Sequence, residues 1–156
     1  MTLNIIPDFI LFCNGLPLAV IECTSPYITN PIDSGIDQLS RYANRRNTQD
    51  NEGAENLFHY NQFMVSTHRD KARVGTITSR IEHFLEWKDP YPLKKTDLGD
   101  SSTSQDILIA GMFEKTNILD LIQNFTVFEP LDGRTINKIA RYPPFRAVHT
   151  SMERIN

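Results

Sequence analysis

The sequence predicts an α/β domain, a central mixed β-sheet flanked by helices, and three stretches carry that prediction. An apolar strand–turn–strand pattern opens the chain: Pro7-Asp8-Phe9-Ile10-Leu11-Phe12, then Asn14-Gly15, then Leu18-Ala19-Val20-Ile21-Glu22. A helix start follows at Asn30-Pro31-Ile32-Asp33. A second strand pair reads as Leu57 to Thr67 and Arg73 to Thr78, across a turn at Arg69-Asp70. At 156 residues, 40% of them apolar, the chain is long enough to bury a core as one soluble domain.

The first hairpin carries the most informative residues. Asp8 and Glu22 each bound an apolar strand, where an unpaired carboxylate is costly and usually has a cation for a partner. Carboxylates on adjacent strands form an oxygen-rich site for a hard divalent metal such as Mg²⁺, which can activate water against a phosphodiester. Two registers fit. A tight Asn14-Gly15 turn pairs Cys13 with Leu16 and Asp8 with Ile21, leaving Glu22 on the other face. A longer loop from Cys13 to Pro17, favoured by the proline, or a bulge, pairs Asp8 with Glu22 on one face. The plainer alternative makes Asp8 a turn residue and Glu22 a solvated strand end.

In the helix, Asn30 reads as N-cap, Pro31 as first residue and Asp33 as a first-turn acid. Ile32, Ile36, Leu39 and Ala43 form the core face, and Gln38, Arg41, Tyr42 and Arg45 a second face. Gln38 and Tyr42, one turn apart, can point at the same spot. Arg41, Arg45 and Arg46 add positive charge where a phosphate backbone could lie, or simply a solvated face.

Further on, Asn47 to Asn56 reads as a polar loop. Ile81 to Trp87 is a short helix or turn, and the Glu82/Glu86 pair needs no more than packing of that turn. Asp89 to Ser104, with two prolines, reads as a long mobile loop. Ile107 to Met112 and Thr116 to Asn124 read as helices, Phe125 to Phe128 as a short strand and Asp132-Gly133 as a turn. Thr135 to Tyr142 reads as a helix broken at Pro143-Pro144, followed by a final helix from Pro144 to Ile155.

A net charge of −3 argues against DNA binding by bulk charge but leaves room for a local basic groove, since basic residues gather at 41 to 46 and 69 to 73. No apolar run approaches a membrane span of roughly 20 residues, and no signal peptide opens the chain. Cys13 and Cys23 do not face each other in either register, so both are expected as buried free thiols in a cytoplasmic protein. The four histidines show no zinc-ligand spacing.

Taken together these motifs resemble a known family. Pro7-Asp8, Leu16 to Pro26 with Glu22-Cys23-Thr24, Asn30-Pro31 and Gln38-xxx-Tyr42 are similar to the N-terminal nuclease domain of the type I restriction enzyme R subunit, of the PD-(D/E)XK superfamily. The likeness continues through His59 to Val65, Gly75 to Thr78, Glu82 to Trp87, Leu108 to Met112, Asn117 to Phe125 and Ala140 to Tyr142, nearly the whole chain.

The resemblance implies a restriction-endonuclease-like fold and a Mg²⁺-dependent DNA endonuclease, with Mn²⁺ as a substitute. Asp8 and Glu22 would be the metal carboxylates, helped by the Ile21 and Cys23 carbonyls. Gln38 and Tyr42, with Arg41 and Arg45, would place the DNA backbone. The third catalytic position, a lysine in the family, is Thr24 here, which cannot bring a positive charge to the phosphate. Cleavage is therefore expected to be impaired, unless Arg41 or Lys71 supplies the cation. A non-catalytic module that guides DNA or docks subunits is the alternative. The implied partners are double-stranded DNA and the modification and specificity subunits of a type I complex. Residues 1–130 are expected to form the nuclease-like domain and 131–156 a helical segment leading toward an ATP-driven translocase. ATP belongs to that motor: no Gly-xxxx-Gly-Lys-Ser/Thr phosphate loop is present, and Pro144 stands where an adenine-reading glutamine is usual. Asp8 lies only seven residues from Met1, so the family's preceding helix and an edge strand are expected to be missing, with the sheet edge exposed.

Overall fold

A computed structural model describes residues 4–46 and 52–155. The chain divides into two compact units, Met1–Leu85 and Glu86–Asn156. The expected α/β class with a mixed sheet is what the structure has, an arrangement consistent with a restriction-endonuclease-like fold. Part of the loop expected from Asn47 to Asn56, residues 47–51, lies outside the described residues.

In the first unit four strands run in the order β1-β2-β3-β4: β1 Phe9–Cys13, β2 Leu16–Cys23, β3 Phe63–His68 and β4 Lys71–Gly75. The β1/β2 and β3/β4 pairs are antiparallel and β2/β3 is parallel. Parallel neighbours need a crossover, and helix α1, Pro31–Tyr42, lies within it. Helix α1 packs Ile32, Ile36, Leu39 and Tyr42 with Val20, Met64, Phe58 and Phe84 into one buried cluster. Each such side chain contributes roughly 1.5–3 kcal/mol by leaving water. The opposite sheet face, with Ala19, Phe63, Val65 and Val74, is buried as well. Edge strand β1 is not: Phe9 is 62% and Phe12 55% exposed.

Several local expectations need correction. Asn30 occupies the N-cap position but adopts a left-handed backbone, φ 51°, and its side chain caps nothing; its carbonyl accepts from Ser34 N at 3.0 Å. The strand expected from Leu57 begins only at Phe63, because Glu55–Phe58 closes a 3₁₀ turn that sends Phe58 into the core. Its partner starts at Lys71, two residues early, since left-handed Arg69 closes a turn that pairs His68 with Lys71.

The second unit holds helix α2, Ser104–Ile107, which continues as a π turn over Leu108–Met112. Then come α3, Lys115–Asn124, the hairpin β5, Thr126–Leu131, with β6, Arg134–Ile139, and α4, Tyr142–Ile155. Trp87, Leu108, Met112, Ile118, Leu121 and Phe145 are its buried apolar residues. The segment read as a mobile loop carries a 3₁₀ turn at Lys95–Leu98, and buried Asn117 holds the Tyr91 carbonyl at 2.6 Å. Thr135 to Tyr142 is not a helix. Asp132 and Gly133 both have positive φ, 48° and 74°, the geometry of a two-residue hairpin turn, and Leu131 pairs with Arg134. Pro143 and Pro144 do not break a helix; they lie in the first turn of α4, where a missing N–H costs nothing.

One close approach sets how near α1 lies to the sheet. A methyl group at Gly35 would stand 2.3 Å from Ser66 Oγ and 2.6 Å from Thr24 Oγ1. Gly35→Ala is therefore expected to destabilise the domain by about 1–3 kcal/mol despite alanine's better helix propensity. Urea unfolding of Gly35→Ala, Ser66→Ala and the double variant checks this; strict additivity of the two changes would refute the clash.

Candidate functional site

The first hairpin has both a tight turn and a bulge. Asn14 and Gly15 have φ 49° and 81°, and Cys13 pairs with Leu16 and Phe12 with Pro17. The register then slips by one residue, so that Leu11 pairs with Ala19 and Phe9 with Ile21, leaving Leu18 as the extra residue. Continued one step beyond its last pair, this register would set Asp8 opposite Glu22, whereas the tight turn without the bulge would set it opposite Ile21.

Asp8 is exposed, and its Oδ2 accepts the Cys23 N–H at 2.7 Å, which ties the carboxylate across to β2. Glu22 is only 6% exposed. Its Oε1 accepts from Gln38 Nε2 at 2.5 Å, and its Oε2 is buried with no hydrogen-bond partner. Burial, and next the neighbouring Asp8 carboxylate, push the Glu22 pKa from 4.5 up to about 7; Arg41 and the Gln38 amide pull the other way.

Helix α1 supplies the polar surround. Gln38 Nε2 also donates to Tyr42 Oη at 2.5 Å, and Tyr42 Oη donates to the Ile6 carbonyl at 3.2 Å. Tyr42 was expected on the polar face beside Gln38. Its ring is instead in the core, 2% exposed, because the segment before β1 closes over it; only its hydroxyl belongs to the site. Arg41 is half-buried, with its guanidinium 4.9 Å from the Tyr42 ring centroid. Arg45 is exposed. Arg46 is held by Asp37 at 3.0 Å and by Glu52, so the basic cluster is not uniformly open to a phosphate.

Thr24 donates its N–H to the Thr67 carbonyl at 2.8 Å. Its Oγ1 is buried without a hydrogen-bond partner, facing Gly35. Lys71 is exposed at the start of β4. Cys23 is exposed rather than buried, as a strand end with its N–H turned to Asp8. Burial, followed by the Asp8 and Glu22 charges, raises its thiol pKa. Gly35, Ser66 and Asn61 were missed as site-shaping residues. A glycine inside a helical pattern and a serine inside an apolar strand were the available signals.

A hard divalent cation fits the carboxylate pair. Two adjacent carboxylates, one buried and with an unpartnered oxygen, would supply part of its oxygen donor set, and it would relieve their mutual repulsion. Among the described residues no three His, Cys, Asp or Glu side chains converge. The remaining ligands would have to be backbone carbonyls, water or phosphate oxygens.

Residues 2–83 match the family model described as the type I restriction enzyme R protein N terminus. The type I restriction enzyme HindI endonuclease subunit of Haemophilus influenzae is 33% identical over 95% of this chain and 14% of its own length. The putative MjaVIIIP endonuclease subunit of Methanocaldococcus jannaschii is 31% identical over 97% of this chain and 14% of its own. The chain thus spans about 14% of the length of these relatives.

The raised Glu22 pKa has a sign. Between about pH 4.5 and 7 the folded state holds the Glu22 proton more tightly than the unfolded state, so this group's contribution to stability falls as pH rises through that window. Glu22→Gln should remove the fall. In urea titrations without metal, the variant should gain about 1–2 kcal/mol on the wild type between the two ends, less than full linkage because of solvent screening. Parallel pH profiles would refute it.

Proposed function

The chain belongs to the family of type I restriction enzyme R protein N termini, and we propose that it forms a metal-binding nuclease domain acting on double-stranded DNA, with hydrolysis impaired at Thr24. The carrying observation is the Asp8 carboxylate, held on the Cys23 N–H at 2.7 Å beside the buried Glu22, whose Oε2 has no hydrogen-bond partner. Asp8 and Glu22, with the Cys23 carbonyl, would hold Mg²⁺ or Mn²⁺, which when bound supplies Lewis-acid activation of water toward a phosphodiester. Gln38 holds Glu22 in place through Oε1. Tyr42 fixes Gln38 and is itself anchored on Ile6. Arg41 and Arg45 would meet the DNA backbone, adding a salt-sensitive share of affinity. The modification and specificity subunits of a type I complex are the proposed protein partners. No helix among the described residues is long and apolar enough to cross a membrane, and a cytoplasmic location accords with that role.

Thr24 decides how far the chemistry goes. A lysine there would present a cation; threonine presents a hydroxyl packed toward Gly35. Loss of one such electrostatic group typically costs about 10²–10³ in rate. The same observation favours a second reading, a non-catalytic module that guides DNA or docks subunits.

Plasmid nicking with Mg²⁺ or Mn²⁺ separates the two. Thr24→Lys is expected to raise nicking by about 10²-fold or more over the wild type, and Asp8→Ala in that background to abolish it. Wild-type nicking equal to that of Thr24→Lys, lost in Arg41→Ala, would move the cation to α1. No nicking by any folded version with DNA binding intact would support the non-catalytic module.

A further inference from the structure

Strand β1 does not specify its own register. Its residues, Phe9-Ile10-Leu11-Phe12-Cys13, are apolar at every position, and both faces are partly exposed, with Phe9 at 62%, Leu11 at 37% and Phe12 at 55%. A strand without alternation can slip by one residue at little cost in burial. With the Asn14-Gly15 turn unchanged, the regular ladder would pair Leu11 with Leu18 and Asp8 with Ile21, turning Asp8 away from Glu22. The observed register exists only while Leu18 remains the extra residue.

Leu18 is held from the other side of β2. Its carbonyl accepts Gln62 N at 2.8 Å and Asn61 Nδ2 at 3.4 Å. The same Asn61 amide donates to the Phe63 carbonyl at 3.0 Å, at the point where Phe63 pairs with Ala19, the residue after the bulge. Asn61 is 3% exposed, and its Oδ1 has no hydrogen-bond partner. A buried amide with half its hydrogen-bonding capacity unused is a poor core filler. Its amide donates to the carbonyl of the bulge residue Leu18 and to that of Phe63 on β3, beside the bulge.

We propose that Asn61 is a positioning residue for the Asp8–Glu22 pair: it clamps the Leu18 bulge and thereby selects the register in which both carboxylates share a face. The inference rests on the pair being a metal site, and adds the device that assembles it, two strands away from the edge strand it controls.

The test uses two independent readouts, cross-strand nuclear Overhauser effects and Mn²⁺ affinity of the whole chain. Wild type should show Leu11–Ala19 and Phe9–Ile21 contacts. Asn61→Leu, which keeps the volume and removes the donors, should gain Leu11–Leu18 and Phe9–Val20 contacts and bind Mn²⁺ about 10–100-fold more weakly, the usual cost of losing a supporting partner. Deleting Leu18 makes the regular ladder the one that pairs Asp8 with Glu22, so the deletion should restore Mn²⁺ binding to Asn61→Leu. A folded Asn61→Leu with the wild-type contacts overturns the proposal. So does failure of both Asn61→Leu and its Leu18-deleted partner to fold, which would make Asn61 a packing residue. If wild type binds no Mn²⁺, the metal reading fails, while the contact pattern still decides the role of Asn61.

Discussion

A carboxylate only 6% exposed, on a strand face that otherwise packs against α1, is the constraint around which the first unit is arranged. Glu22 cannot be solvated where it is, so its oxygens need partners from the fold. Gln38 supplies one partner, and the Asp8 backbone another. Gln38 is in turn fixed by Tyr42, whose ring is core and whose hydroxyl reaches Ile6. The chain from the Ile6 carbonyl to Glu22 thus joins the segment before β1, the far end of α1 and the end of β2. The second oxygen of Glu22 receives nothing, and Asp8 adds a like charge beside it. On the proposed reading, the oxygen left open is where a cation would bind.

Position 24 shows the same face continuing without that charge. Thr24 follows Glu22 by two residues, and its hydroxyl is also buried without a hydrogen-bond partner. Here, however, the helix has closed in. Gly35 lets α1 approach until only hydrogen fits between its backbone and the hydroxyls of Thr24 and Ser66, and Ser66 Oγ donates to the Ile32 carbonyl at 2.8 Å. A longer side chain at position 24 would have to leave along the sheet rather than toward the helix. A short side chain at position 24 and tight helix packing thus go together in this chain.

The sequence carried the elements with strong local chemistry. Asn14-Gly15, Asp132-Gly133 and Pro31 each impose a backbone geometry of their own, and each marks a turn or helix start in the structure. Where local signals competed, the weaker were misread. The short apolar spacing after Thr135 suggested a helix, but the Asp132-Gly133 turn commits the chain to a hairpin before it can form. Tyr42 was placed by helical periodicity on the polar face, yet a tyrosine serves both faces, with a ring to bury and a hydroxyl to place. The clamp on Leu18 was not legible at all, because it depends on a contact between residues 43 positions apart. The carboxylates themselves were conspicuous, since acids bounding apolar strands are costly without a partner.

Electrostatics sets the order of events the site can support. The chain carries a net charge of −3, and at the hairpin a phosphodiester would meet the exposed Asp8, with Glu22 buried behind it. Arg46, which the sequence offered as a phosphate contact, is already held by Asp37 and Glu52. Arg41 is left as the basic group close enough to act on Glu22, and part of its charge serves the glutamate. As pH rises past about 7 and Glu22 ionises, two carboxylates face one guanidinium and the hairpin becomes repulsive to a phosphate. On the proposed reading a divalent cation therefore does more than chemistry: it reverses the local sign, so that DNA can approach the strand ends at all. Metal occupancy would then precede DNA engagement, and Arg45, exposed beyond the end of α1, would take the backbone on the flank once the centre is neutral.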